Sequence, residues 1–295
     1  MLARYLRLTL PVAVMSCGDG DPSSPGGPVL VNRPPILFTS ARGGNVDVYV
    51  MDADGSGVRR VTTDARVDQH GDWAPGGFNF AFMSNRDGDY EVFTMFIDGR
   101  GIRQLTSNAS SDGFPRWSPD GTRILFTSNR NGPFDLFLMS ADGTGVVRLT
   151  RDSGDNVGGT WSPDGSRIAF VSTRGGLEDI YVMRADGSDA VRITNNAIIE
   201  GSRIAWSPDG TKIVFDGQRD RNVDIYVVDA DGRNERRLTD GLAQDRLPSW
   251  TPDGRIAFTS DRDGDDEVYV MSADGTNSVR LTTSAALDVL DSWHR

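Results

Sequence analysis

The sequence predicts an all-β protein, a six-bladed β-propeller with four antiparallel strands in each blade. The first observation is that its six tryptophans recur at intervals of 43 to 45 residues, at Trp73, Trp117, Trp161, Trp206, Trp250 and Trp293. A fixed period of this length is typical of repeat architectures such as solenoids and propellers. The second is that each repeat holds four short runs rich in Ile, Val, Phe and Tyr, separated by turn-forming residues, which predicts strands.

The repeat around Trp161 shows the elements in order. An innermost strand ends at this tryptophan, and the Ser-Pro-Asp-Gly turn that follows uses Pro to preset φ and Gly to take a positive φ. The second strand is predicted at 168–172, the third at 179–183 and the fourth at 191–194. An Ala-Asp-Gly hairpin joins the third strand to the fourth. No stretch has sustained helical periodicity, so we expect almost no helix.

The order of the strands predicts how the ring closes. Second, third and fourth strands first occur at 36–40, 47–51 and 58–62, before any strand that ends in tryptophan. The sixth innermost strand comes last, at 291–293. We therefore expect the C-terminal strand to pair with the N-terminal blade, because closing the ring removes exposed sheet edges. The propeller then occupies residues 36–295.

The first 35 residues do not share the repeat. Residues 1–16 combine Arg4 and Arg7 with an apolar run too short to span a bilayer, which predicts a signal peptide. The protein's single cysteine, Cys17, follows it, and the arrangement resembles a bacterial lipoprotein signal in which that cysteine is lipidated. Residues 17–35 are rich in Gly, Pro and Ser, which predicts a flexible tether. We expect an exported monomer, either periplasmic or anchored to the outer membrane through its lipid alone.

The composition disfavours several functions. Acidic residues outnumber basic ones by 42 to 31, for a net charge of -11, so binding to nucleic acid or to anionic lipid is not expected. One cysteine and two histidines do not form a cysteine zinc cage. The sequence has no G-x-S-x-G, H-E-x-x-H or P-loop motif. It therefore predicts a protein without catalytic residues or a cofactor.

The segments that enter the innermost strands carry the candidate site, because the repeat is least regular there. Innermost strands of a propeller begin at one mouth of the central channel, so residues just before them form a ring. The predicted binding residues, mostly acidic, are Asp68, His70, Asp112, Asp155, Asn156, Ile198, Ile199, Glu200, Asp245 and Asp288. Clustered carboxylates favour a divalent cation or a basic segment of a partner. The alternative is that each aspartate caps its own loop.

Another charge pattern recurs in each repeat. An arginine follows each second strand and an acid opens each third strand, as in Arg130 with Asp135 and Arg174 with Asp179. We expect a structural ion pair or a turn-capping hydrogen bond within each of these hairpins.

The unit W-S-P-D-G, followed by A-D-G and R-[LI]-T, resembles the WD40-like repeat of TolB-type β-propellers. The resemblance extends over the whole predicted propeller and implies an envelope-associated protein that binds other proteins, without naming a partner. The function predicted is thus a non-catalytic adapter that presents an acidic loop face to an envelope protein. The alternatives are a carbohydrate-active lyase or hydrolase that uses channel-mouth carboxylates with a divalent metal, or a propeller that binds a sugar or ion without turnover.

Overall fold

The computed structural model describes residues 36–195, 203–219 and 221–294. These residues form strands and connecting turns, with no helix among them. The same residues therefore contain no apolar helix of membrane-spanning length.

Each blade is built from four strands in the predicted order. The innermost strands are β4 (Asp68–Trp73), β8 (Asp112–Trp117), β12 (Asn156–Trp161), β16 (Ile204–Trp206), β20 (Asp245–Trp250) and β24 (Asp288–Trp293). The second strands are β1 (Ile36–Ser40), β5 (Asn79–Ser84), β9 (Arg123–Ser128), β13 (Arg167–Ser172), β17 (Lys212–Arg219) and β21 (Ile256–Ser260). The third strands are β2 (Asp47–Met51), β6 (Glu91–Phe96), β10 (Asp135–Ser140), β14 (Asp179–Arg184), β18 (Asn222–Asp229) and β22 (Glu267–Met271). The fourth strands are β3 (Arg59–Arg60), β7 (Arg103–Gln104), β11 (Val147–Arg148), β15 (Val191–Arg192), β19 (Arg236–Arg237) and β23 (Val279–Arg280).

These strands pair into six four-stranded antiparallel sheets, so the predicted six-bladed propeller is confirmed. Blades 1 to 5 follow the chain from β4 to β23 in groups of four, and blade 6 joins β24 to β1, β2 and β3. Ile36 pairs with Trp293 and Ser40 with Asp288, which is the predicted closure by the C-terminal strand. The closing strand is longer than predicted, because it begins at Asp288.

A bulge interrupts most of the innermost strands. In β4 the pairing register shifts between Gln69 and Asp72, and similar shifts occur in β8, β12, β20 and β24. Residues in the bulges take positive φ angles, of 56° at His70, 53° at Phe114 and 55° at Leu247. A bulge increases local twist and redirects side chains, and these three residues share the position three before a tryptophan.

The core lies between neighbouring blades. One buried cluster joins Leu125 and Leu136 of blade 2 to Trp161 and Phe170 of blade 3. Each blade therefore buries its faces against its neighbours, and an incomplete ring would leave apolar surface in water.

Candidate functional site: the central channel and its two mouths

The predicted acidic residues lie where the innermost strands begin, which we call the loop mouth of the channel. Asp68, Asp112 and Asp288 are fully buried, and Asp245 is 1% exposed. Each pairs with the arginine that follows the second strand of its own blade: Arg86 with Asp68 (2.9 Å), Arg130 with Asp112 (2.5 Å), Arg262 with Asp245 (3.0 Å) and Arg42 with Asp288. These carboxylates are therefore brought together around the channel, but as buried ion pairs rather than as an open acidic surface.

The ion pair predicted within each hairpin is wrong, but the alternative of a hydrogen bond at the turn holds for the arginine, since Arg130 donates from its backbone and its side chain to Ser128. The acid that opens the third strand pairs instead with the arginine of the adjacent fourth strand: Asp47 with Arg60 (2.6 Å), Asp135 with Arg148 (2.6 Å), Asp179 with Arg192 (2.7 Å), Asp224 with Arg237 (2.6 Å) and Glu267 with Arg280 (2.6 Å). In every blade but the fourth, the arginine after the second strand reaches the innermost strand. Arg130, for example, lies 4.9 Å from the centre of the Phe137 ring. In blade 4, Arg219 pairs with Glu235 instead. The register of the fourth strand explains the outer pair: Arg148 lies opposite Phe137, so its side chain is on the same face as that of Asp135, two residues away.

Burial dominates the titration of these acids. It raises the pKa of Asp47 to about 6, although Arg60 acts in the opposite direction. It also raises the pKa of Asp68 and of Asp288, against hydrogen bonds and arginines that lower it. Each of these buried carboxylates therefore needs an arginine and hydrogen-bond donors in direct contact with it to remain charged.

The remaining predicted residues of the loop mouth differ in their surroundings. Asn156 is buried and accepts a hydrogen bond from Arg174 at 2.8 Å. Asp155 is half-buried and accepts a hydrogen bond from the backbone of Phe134 at 2.9 Å, as a loop-capping residue does. Ile198, Ile199 and Glu200, like Cys17, lie outside the described residues. Leu242 in a nearby loop is fully exposed.

His70 lies in the centre of the channel, in a buried polar cluster. Its Nδ1 atom accepts a hydrogen bond from Arg203 at 3.0 Å, and Arg203 also contacts Asp291 at 3.4 Å. Blades 1 and 4 are opposite each other in the ring, so this bond crosses the channel. The ring of Phe114 packs 4.7 Å from His70. The cluster therefore closes the middle of the channel.

The charge state of this cluster follows from its burial. Desolvation lowers the pKa of His70 well below its usual range, and Arg203 and Arg116 lower it further. His70 is therefore neutral at pH 7 and can accept the bond from Arg203. Burial also lowers the pKa of Arg203 to about 9. Sequence reasoning found His70 but missed Arg203, although both stand three residues before a tryptophan.

The innermost strands end at the opposite side of the ring, which we call the tryptophan mouth. A cavity of about 360 Å³ opens there, lined by all six tryptophans, five prolines of the following turns, Asp72, Arg116 and His294. Sequence reasoning used the tryptophans only to find the repeat. The repeat itself predicts that the tryptophans come together, because six equivalent strand ends meet at one mouth of a closed ring.

The walls of this cavity are held in place. The indole Nε1 of Trp161 donates to the carbonyl of Arg116, and that of Trp206 to the carbonyl of Thr160, both at 3.3 Å. Arg116 and Asp72 form a charged pair at 3.8 Å, and Asp72 also accepts a hydrogen bond from the backbone of Trp117 at 2.8 Å. The cavity is thus aromatic and preformed, with one charged pair in its lining.

Blade 1 makes the edge of this cavity asymmetric. Its first turn is Ala74-Pro75-Gly76-Gly77, where blade 2 has Ser118-Pro119-Asp120-Gly121. Hydrogen bonds from Ser118 and Thr122 lower the pKa of Asp120 to about 2, so the usual turn carries a firm negative charge that blade 1 lacks.

Two aromatic side chains of blade 1 are exposed beside this turn. Phe78 is 69% exposed and Phe96 is 51% exposed. The residues at the equivalent repeat positions in blade 2 are Thr122 and Ser140. A Cβ placed on Gly76, which lines the cavity, would lie 3.8 Å from the Phe78 ring. The two phenylalanines therefore leave apolar surface exposed on the side of the ring where the cavity opens.

Within the described parts of the chain, no group of three or more His, Cys, Asp or Glu side chains has an arrangement that could hold a metal ion. Six blades around a channel that is closed at its middle and opens into a cavity at the tryptophan mouth define a β-propeller with a concave site on its axis.

Comparison with known families agrees with this class. The model of the TolB beta propeller domain matches residues 68–133, 108–203 and 197–294, which together make up most of the chain. The chain therefore belongs to the TolB beta propeller domain family. No protein of curated function matches the sequence.

Solved structures share the fold at low sequence identity. TolB from Acinetobacter baumannii is 23% identical with a TM-score of 0.77, over 87% of this chain and 65% of the other. The chain thus spans about two thirds of the length of that protein. An Agrobacterium tumefaciens protein described as a TolB is 22% identical with a TM-score of 0.69, over 88% of this chain and 90% of the other. An oligogalacturonate lyase from Vibrio parahaemolyticus is 17% identical with a TM-score of 0.56, over 77% and 72%.

Proposed function

We propose that this protein is a non-catalytic binding propeller of the bacterial cell envelope, which holds a segment of a partner protein at the mouth of its central channel. The observation that carries the proposal is the aromatic cavity of about 360 Å³ at the tryptophan mouth. Preformed concave sites with mainly apolar walls and few polar groups are typical of binding sites. Family membership supports the envelope location and a protein as the partner.

The two exposed phenylalanines of blade 1 give the site a direction. An extended segment lying in the cavity can leave it over Phe78 and Phe96, where the other turns present aspartates. The Arg116–Asp72 pair provides polar contacts in the cavity lining. Aromatic-lined grooves are typical of sites that recognise extended, proline-rich segments.

The loop mouth is the second candidate surface. The fully exposed Leu242 lies there, beside a depression that is also lined by Asp240, Asp245 and Asp261. An exposed apolar side chain among acids fits a basic partner segment with an apolar residue. The buried carboxylates Asp68, Asp112 and Asp288 would support this surface from below rather than contact the partner.

The test is a pull-down from detergent-solubilised envelope with the full chain as bait. The variant Phe78→Thr/Phe96→Ser gives blade 1 the residues of blade 2 at the tryptophan mouth. Leu242→Ser tests the loop mouth. Val191→Ser is the matched control, because Val191 is 61% exposed on an outermost strand. We expect one discrete protein to be retained by wild type and by the control, and to be lost with the Phe78/Phe96 variant.

A second readout makes the test specific to the cavity. All six tryptophans of the chain line this cavity. Titration with a purified partner that contains no tryptophan should therefore shift the tryptophan emission of this protein. Loss of the partner with Leu242→Ser alone would move the site to the loop mouth. Equal retention by every bait would contradict both surfaces, and cleavage of an acidic oligosaccharide by the pure chain would favour the carbohydrate-active alternative.

Location is tested separately. We propose that Cys17 is lipidated after removal of residues 1–16, so that residues 17–35 tether the propeller to a membrane. Cys17→Ser should then move the protein from the membrane fraction to the soluble periplasmic fraction. A membrane-bound Cys17→Ser protein would refute the lipid anchor without affecting the proposed binding site.

A further inference from the structure

The boundary between blades 1 and 2 breaks a charge pattern that the other blades share. In blades 2 to 6, an arginine of the fourth strand pairs with the acid that opens the third strand. In blade 1 the equivalent residue is Gln104, whose side-chain amide donates to Asp87. The acid of this blade, Glu91, is fully buried. Glu91 therefore lacks the guanidinium that its counterparts have.

Glu91 faces Asp112 across the boundary, and both side chains are fully buried. A single residue, Asn108, bonds to both carboxyl groups and so holds them close to each other. Glu91 Oε1 accepts from the backbone of Asn108 at 2.6 Å, and Asp112 Oδ2 accepts from Asn108 Nδ2 at 2.8 Å and from Arg130 at 2.5 Å. The other two oxygens, Glu91 Oε2 and Asp112 Oδ1, are buried without a hydrogen-bond partner among the described residues.

The next boundary indicates what belongs between these oxygens. There the facing residues are Asp135 and Asn156, and Asn156 Nδ2 donates to Asp135 Oδ1 at 3.3 Å. An amide hydrogen thus fills the position between the two side chains. Glu91 and Asp112 have no such hydrogen unless one of the two carboxyl groups is protonated.

We propose that Glu91 and Asp112 share one proton, with Glu91 Oε2–H donating to Asp112 Oδ1, and that this bond is a pH-sensitive latch on the loop 107–111 at the loop mouth. With the proton in place, the pair carries one negative charge, which Arg130 balances. Loss of the proton leaves two facing carboxylates beside one guanidinium, and like charges in a buried site repel strongly. Asn108 then loses the fixed geometry of its bonds to both acids.

The groups around the pair fix the direction of the pH response. Asp112 and Arg130 face Glu91 from blade 2. Thr106 and Asn108 face it from the segment that connects the two blades. Asp87 lies farther away and is bonded to Gln104. Burial raises the pKa of Glu91 from 4.5 to about 7, with Thr106 and Asn108 opposing the shift and Asp112 adding to it. Between pH 4.5 and about 7, the folded protein therefore holds a proton that the unfolded chain has lost. The latch opens as the pH rises through about 7.

The test is a pH titration of the full chain, labelled with ¹⁵N-asparagine, by two-dimensional NMR. The backbone amide of Asn108 should titrate with a midpoint near pH 7 in wild type. In Glu91→Gln, whose amide can donate to Asp112, this titration should disappear. In Gln104→Arg, which restores the guanidinium of the other blades, the midpoint should fall by about 1 to 3 pH units. Glu267→Gln in blade 5 is the matched control and should leave the Asn108 titration unchanged.

Three results would overturn the latch. The first is an Asn108 amide that does not titrate between pH 5 and 9 in wild type. The second is a titration near pH 7 that persists in Glu91→Gln or, should that variant not fold, in Gln104→Arg. The third is recovery of the pH 6 spectrum at pH 8 on adding Ca²⁺ or Mg²⁺, which would assign the space between the carboxylates to a metal ion rather than to a proton.

Discussion

The pair of Asp291 and Arg203 in the channel centre should make a large contribution to stability, which Asp291→Asn would measure. Asp291 is 1% exposed and Arg203 is 3% exposed, and their side chains are 3.4 Å apart. Asparagine can still accept the hydrogen bond that Thr39 donates at 2.8 Å, so the substitution removes charge and little else. An uncompensated buried charge costs about 3 to 5 kcal/mol. We expect a loss of about 3 kcal/mol, at the low end of that range, because Asp72 and Asp216 also stabilise Arg203.

The assay is urea unfolding at pH 7, followed by tryptophan emission. A second variant, Arg203→Met/Asp291→Asn, removes both charges and should recover at least about 1 kcal/mol of the loss, because neighbouring sites are not additive. If the unfolding free energy of Asp291→Asn lies within about 0.5 kcal/mol of the wild-type value, as for ordinary surface substitutions, the buried pair does not make this contribution. A double variant whose loss equals the sum of the two single losses would lead to the same conclusion.

Three other predictions follow from single contacts. Gly159→Ala should cost about 1 to 3 kcal/mol of unfolding free energy by overpacking, because its Cβ would lie 2.7 Å from Leu125; calorimetry showing no loss would contradict this. Since the pKa of His70 is lowered on folding, wild type should lose stability as the pH falls below 6.5. His70→Gln should show less of that acid loss in urea unfolding at pH 5 and 7, and an unchanged loss would disprove it. Hydrogen bonds from Ser162 and Ser166 lower the pKa of Asp164 to about 2. The ionised carboxylate should therefore stabilise its turn at pH 7 but not below pH 2. Asp164→Asn should accordingly cost about 0.5 kcal/mol after solvent screening, at neutral pH alone.

The fold could be predicted because its main determinant is local and repeated. Six tryptophans in register, with Pro-Asp-Gly turns after most of them, fix the strand order within each blade and the number of blades. The position of β24 at the end of the chain then predicts the closure against β1. The fourth strands are shorter than predicted, at two residues each, because only Tyr49 and Val50, or their equivalents, find partners there.

The site was harder to predict, because its contacts join different blades. The spacing of acids such as Asp112 predicts an open ring, because it shows where they lie but not that Arg130 reaches them. The bond between His70 and Arg203 depends on two strands 133 residues apart that face each other only in a closed ring. The cavity at the tryptophan mouth could have been found by placing equivalent strand ends together.

Closure by the last strand also has a consequence for how the protein is made. Thr39 and Asp291, which share a hydrogen bond, are 252 positions apart, so blade 6 begins almost as soon as synthesis reaches the propeller and is completed at its end. Until residues 288–293 arrive, β1 presents an unpaired edge, and such edges recruit other strands. Contacts of this sequence separation also slow folding. We expect nascent or exported chains to need protection of that edge, by a chaperone or by rapid synthesis, more than chains whose blades each close locally.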